Sequence, residues 1–210
     1  MVEHSNAQLS PTGRTLRWGA GLALVVLTGL HPAYSVDAAG ELYRISSFRY
    51  WLAVHLALLG VMAAFDISLL SWPGPRAGLC WRLRQLGVAV HLTAYSAFLG
   101  IDGIAGGLLA QFGAGAGTQS RQTMTAAIAV LFGSGVVLGL ALLAGAGWLL
   151  AALALLAQLA GHARLLPAAG LLLAALLVLS YSHSPPVGPV GALLAVAACA
   201  ALDLAGRRPR

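Results

Sequence analysis

Lysine is absent from this chain: all twelve cationic side chains are arginine, and acidic side chains number six in 210 residues. Charged residues make up 9% of the sequence, against roughly 25% in a soluble domain. That shortage excludes water as the solvent for most of the surface. Cysteine is scarce too, with Cys80 and Cys199 alone; their spacing builds neither a disulfide framework nor a metal motif, and both read as structural or incidental. There is no Cys-x-x-Cys-His, no Walker-type glycine loop and no His-Glu-x-x-His, so haem attachment, phosphate cradling and zincin chemistry lack their usual signatures. The net charge of +6 is spread over helix ends and loops. Without a basic stripe or interleaved aromatics it gives no nucleic-acid surface, and the arginines read as topology and headgroup anchors.

What is abundant is apolar: 59% hydrophobic residues and a mean hydropathy of +0.85. About 20 apolar residues cross ~30 Å of hydrocarbon at ~1.5 Å per residue, and the chain is nearly all such runs. The expected fold class is therefore all-α, a polytopic transmembrane helix bundle of about seven helices, with six as the alternative. Residues 1–13 read as a disordered tail, 14–206 as one transmembrane domain and 207–210 as a basic tail. The predominance of Ala, Gly and Leu, with arginine as the only strong cation, points to a GC-rich bacterial genome. The expected location is the bacterial cytoplasmic membrane, with the lipid bilayer as a partner and the N-terminus inside.

Spans are expected at 18–30, 50–70, 85–110, 124–144, 147–161, 165–182 and 189–205. The breaks between them are His31-Pro32, Ser71-Trp-Pro-Gly-Pro75, Gly113-Ala-Gly-Ala-Gly117, Gly145-Ala-Gly147, His162-Ala-Arg164 and His183-Ser-Pro-Pro186. Span 147–161 is only about 22 Å long; if it is re-entrant, six crossings remain. Leu42, Ile45 and Phe48 recur at helical spacing between charged residues, so 38–49 reads as a surface connector. Trp18, Trp51, Trp72 and Trp81 fall at span ends, as an aromatic belt requires. Gly135-x-x-x-Gly139, with Gly103, Gly106 and Gly107, marks places where helices could approach closely.

Ionisable groups in hydrocarbon cost ~2.5–3.5 kcal/mol each on insertion scales, so they default to partnered, inward and functional positions. The second span carries His55 and Asp66; the third carries His91 and Asp102. In each, eleven residues return to within about 20° of the starting direction, so the pair shares one helix face. Ala53-Val-His-Leu56 and Ala89-Val-His-Leu92 repeat the same local pattern. Antiparallel packing in simple register then sets His55 level with Asp102 and His91 level with Asp66, with Tyr95 and Phe98 between the two layers. These pairs read either as interhelical fasteners or as sites for a ligand, metal or proton. His31 ends the first span on the side of His55 and Asp102, and two histidines with a carboxylate are a possible metal set. His31-Pro32 is read first as an interfacial helix stop, and no metal is assigned. His55 and His91 lie at opposite depths, which argues against one shared haem. His162 and His183 fall in loops and read as solvated.

Gly29-Leu-His-Pro32, Trp51-x-x-x-His55-x-x-x-x-Gly60 and the Asp102-Gly103 step together resemble uncharacterised bacterial multi-pass membrane proteins of about this length, over residues 18–110. The resemblance implies the fold and no activity. Seven-helix ceramidase and progestin-receptor-like hydrolases also use His and Asp near one membrane face, but the last span here, 190–205, lacks their His-x-x-x-His. Two functional classes remain besides an accessory subunit of a membrane complex. One is a bundle that binds or passes a small solute or protons, with His31, His55, His91, Asp66, Tyr95 and Asp102 as polar stations. The other is a membrane-embedded enzyme acting on a lipid or isoprenoid, with Asp102 or Asp66 as general acid. No sequence signal names a cofactor or a catalytic residue; a small-molecule or lipid ligand is the expected occupant.

Overall fold

The computed structural model describes residues 11–32 and 48–207. Of the expected disordered tail 1–13, connector 38–49 and basic tail 207–210, residues 1–10, 38–47 and 208–210 lie outside the described residues, while 11–13, 48–49 and 207 are helical and belong to the adjoining helices. Among the described residues every regular element is a helix: α1 (Pro11–Gly29), α2 (Phe48–Leu69), α3 (Gly78–Leu99), a π-helical segment (Gly100–Ala105), α4 (Gly106–Ala114), α5 (Thr118–Phe132), α6 (Gly135–Leu159), α7 (Leu166–Tyr181) and α8 (Val187–Arg207). Pro11 opens α1, where a missing N–H costs nothing because first-turn donors have no intrahelical partner.

Several of these elements run on end to end, leaving six long helical stretches among the described residues rather than seven, one of them interrupted at Gly133-Ser134. Gly78–Gly113 spans 36 residues and Thr118–Leu159 spans 42; together with Arg49–Leu69 and Val187–Gly206 they are the four that are long and apolar enough to cross a membrane. Around the bundle the order is α1, α2, α3, α6, α7, α8 and back to α1, a closed ring in which neighbours touch. Hydrophobic residues from all six line its core, including Leu24, Leu58, Leu99, Leu155, Leu172 and Leu202. At 1.5 Å per residue the two long helices reach ~54 Å and ~63 Å, beyond a ~30 Å slab. The excess is the α4–α5 hairpin, whose helices pack mainly on each other.

The expected division between 124–144 and 147–161 is overturned at a specific place. Gly145 and Gly147 lie inside an unbroken α6. The interruption comes earlier, at Gly133-Ser134, where the Ser134 side chain accepts from the Val137 N–H at 3.2 Å and caps a new helix. Gly147 is a contact, not a breaker. A Cβ there would stand 2.6 Å from the His91 backbone N and 2.7 Å from the Gly87 O, and one on Gly87 would stand 2.6 Å from the Ala151 N. The missing side chains let α3 and α6 approach backbone to backbone, as small residues do in membrane interfaces. Gly135 and Gly139, the motif visible in the sequence, have nothing within 4 Å.

Arg17 and Arg84, expected at the headgroups, are buried at one end of the ring. Arg84 donates to the Leu70 and Trp72 carbonyls at 3.0 and 2.9 Å and to the Gln158 Oε1 at 3.0 Å. Arg17 donates to the Ser71 carbonyl and Oγ, both at 3.0 Å. The last α2 carbonyls, of Ile67, Ser68 and Leu69, accept from the Leu70, Ser71 and Trp72 N–H groups, and the guanidinium forks satisfy the carbonyls of the turn that follows. Arg14 pairs with Asp203 at 2.6 Å and the Trp18 indole donates to the same carboxylate at 3.0 Å, so the start of α1 and the end of α8 lie together.

Replacing Gly147 with Ala is expected to cost about 1–3 kcal/mol of stability in detergent through overpacking. Gly139→Ala should be neutral or stabilising, since Ala exceeds Gly by about 1 kcal/mol in a helix. Thermal unfolding of both variants checks this; equal losses would contradict the α3–α6 contact.

Candidate functional site

Two groups of polar side chains sit inside the ring. The first is built on Asp66 of α2, fully buried. His91 Nδ1 of α3 donates to Asp66 Oδ2 at 2.6 Å, and Trp148 Nε1 of α6 donates to Asp66 Oδ1 at 2.6 Å. The His91 ring stacks on Trp148, centroids 3.8 Å apart and 12° between planes, and on Tyr95 at 5.1 Å. The expected His91–Asp66 partnership is present, and a third member joins it. Trp148 was missed by sequence reasoning because it fell at the start of the supposed span 147–161; an indole deep in a long apolar run was the available signal.

The second group gathers at the opposite end from the buried arginines. It is built from the end of α1, the second turn of α2, the π-helical segment and the loop joining α7 to α8. His55 and Asp102 are close in level, but no hydrogen bond joins them among the described residues. His55 Nδ1 instead donates to the Trp51 carbonyl at 2.8 Å. Asp102 falls in the π-helical segment, whose wider i→i+5 turns shift helix phase. Asp102 and His91 line the same cavity, but the helix between them is not regular over the eleven residues. It is Gly103 that meets His55: a Cβ on Gly103 would collide with the imidazole. The Trp51 indole stacks on His55 at 4.3 Å and donates to the Gly103 carbonyl at 2.6 Å.

His31 lies against His55, ring centroids 4.9 Å apart, and against His183, centroids 4.8 Å apart. One ring nitrogen from each of His31, His55 and His183 lies within 4.8 Å of the others. The expectation of a solvated His183 is thus corrected. Its loop is held down because Gly188, without a side chain, lets α8 begin directly against the His183 backbone. Trp51 and Trp72 are likewise buried rather than belt residues, at 2% and 3% exposure. His162, by contrast, is exposed.

Between the two groups lies a cavity of ≈ 360 Å³, lined by His31, Trp51, Tyr95, Asp102, Trp148 and His183 among others. His91 forms part of its wall, so the cavity runs from the histidine cluster to the Asp66 hub. Two lining residues carry buried polar atoms with no hydrogen-bond partner, the Tyr95 hydroxyl and the His31 Nε2. Those two atoms are closed off from water, and the polar character of the cavity comes from Asp102 and the histidine side chains in its wall.

Comparison with known protein families, with curated proteins and with solved structures finds no match.

The Asp66 hub can be separated from the His55 level by mutant cycles. Asp66→Asn and His91→Phe should couple by about 1 kcal/mol or more, since each leaves the other group unpaired in a dry site. His55→Ala and Asp102→Asn should add within ~0.5 kcal/mol, as groups without a shared bond do. Equilibrium unfolding in detergent measures both; additivity at Asp66 and His91 would contradict the hub.

Proposed function

We propose that this chain is a multi-pass protein of the bacterial cytoplasmic membrane that crosses it six times and takes a small polar solute or ion into the cavity between its two polar groups. The observation that carries this reading is the lining of the cavity, where Asp102, Tyr95, His31, His91 and His183 surround space inside an apolar bundle. Polar atoms lining space inside an apolar bundle are retained where something polar visits them. Asp66, with both oxygens bonded, serves as a fixed anchor at the inner end. Asp102 is the carboxylate on the cavity wall that remains available to charge or to a proton. The enzymatic reading narrows accordingly: of the two carboxylates, Asp102 alone is placed to act as a general acid toward a substrate in the cavity.

Six crossings support a definite orientation. Among the described residues Arg14, Arg17, Arg76, Arg82, Arg84 and Arg164 belong to the end that holds both chain termini of the ring, and Arg49 and Arg121 to the other. The cationic excess puts the first end in the cytoplasm and opens the histidine end to the opposite side.

Two labelling experiments test this in a background with Cys80→Ser and Cys199→Ala. Single cysteines at Ala77 and Ala163 should react with an impermeant maleimide from the cytoplasmic side, and one at Gln119 from the outside. Ala163 reacting with Gln119 would restore an odd number of crossings. A cysteine at Asp102 should react with a small cationic methanethiosulfonate reagent added from outside. No reaction from either side would mean a sealed cavity, and the solute-binding reading would fall.

A further inference from the structure

Three imidazoles from separate parts of the chain meet at the outer end of the cavity, and a hydrogen bond fixes which nitrogen His55 leaves free. A carbonyl oxygen only accepts, so the His55 nitrogen bound to the Trp51 carbonyl carries the proton. Its Nε2 therefore holds a lone pair. His31 Nδ1 is engaged by the Ser184 hydroxyl at 3.2 Å, and its Nε2 is buried without a partner. One ring nitrogen of each of the three lies within 4.8 Å of the others, and His31 Nε2 has no protein partner.

We infer that His31, His55 and His183 form a three-histidine site for a divalent transition-metal ion of the zinc class, with its remaining coordination position facing the cavity. This names the ion class for the proposed solute site and rests on that reading only for what approaches the open position. Imidazole nitrogens suit such ions, which bond them at about 2.0–2.1 Å. Tetrahedral geometry then asks for nitrogens about 3.4 Å apart, and the three stand within 4.8 Å of one another. Closing that difference takes side-chain rotation of about 1.4 Å at most. Three protein ligands leave a fourth position, the pattern of an open rather than a purely structural site.

The surroundings are those of a ligand set held in place. Metal-binding histidines commonly give their other ring N–H to a carbonyl or hydroxyl, which orients the ring and fixes the tautomer. Here the Trp51 carbonyl does this for His55, and Ser184 is placed to accept from His31. Trp51 also stacks on His55 and ties down the Gly103 carbonyl, so the imidazole is clamped between an indole and a glycine backbone. Asp102 precedes that glycine and lines the same cavity, where its carboxylate balances part of the ion's charge.

The test uses the full chain in detergent, purified without a polyhistidine tag and stripped with a chelator. Titration with Co²⁺ should produce the intense visible absorption of a tetrahedral nitrogen-rich site, saturating at one ion per chain, and Zn²⁺ should abolish it. Zn²⁺ should also raise the midpoint of thermal unfolding. His31→Ala, His55→Ala and His183→Ala should each weaken binding more than ~100-fold, and Ser184→Ala by ~10-fold, the scale of a lost supporting bond. His162→Ala, on the exposed loop, should bind as the wild type does. A wild-type protein with no Co²⁺ spectrum and no Zn²⁺-dependent midpoint overturns the proposal, whatever the variants do. So does binding that survives His183→Ala, the loop position whose replacement disturbs the helices least. Failure here leaves solute entry to the Asp102 labelling, which uses no metal.

Discussion

The carboxylate of Asp66 is the constraint on which the rest of the bundle depends. Buried in a medium that cannot solvate it, it draws a donor from each of two other helices, His91 of α3 and Trp148 of α6. A charge in hydrocarbon tolerates few arrangements, so this one group fixes the rotation of three helices at once. The glycine contact between α3 and α6 then follows as a packing consequence. Only with Gly87 and Gly147 facing each other do the two backbones come close enough for Trp148 and His91 to stack over the same carboxylate.

The two ends of the ring are finished in different ways. At one end guanidinium forks close on carbonyl groups, with Arg84 and Arg17 taking up the acceptors of the turn that follows α2. Little there is left unpaired except single guanidinium nitrogens. At the other end imidazoles from three parts of the chain converge. Each end keeps polar atoms without partners, a nitrogen on each of Arg17 and Arg84 at one and the Tyr95 hydroxyl and His31 Nε2 toward the other. What distinguishes the histidine side is the cavity beside it.

The π-helical segment links these two themes. It follows Leu99 and presents the bare backbone of Gly103 to His55, with Asp102 beside it on the cavity wall. The two levels thus differ, with a closed fastener at one and an open group at the other. π-Segments are found often at functional sites because they re-aim side chains without ending the helix.

What the sequence determined by itself was the solvent and the list of groups that do not belong in it. Hydropathy sums locally along the chain, so the apolar runs, the helical class and the oddity of His55, Asp66, His91 and Asp102 are all readable without a fold. The His91–Asp66 pair was legible because a regular helix carries phase faithfully over eleven residues. Only the tertiary structure decided whether Gly147 breaks a helix or seats one, since that depends on whether a partner backbone lies against it. That choice set the number of helices, and their number set which end of the bundle His183 reaches. Counted as seven spans, the chain carries His183 away from His31; folded as six long helical stretches, it brings the two rings together. A local sum of residue preferences holds no term for contacts between segments 152 residues apart, from His31 to His183, and the histidine cluster is made of nothing else.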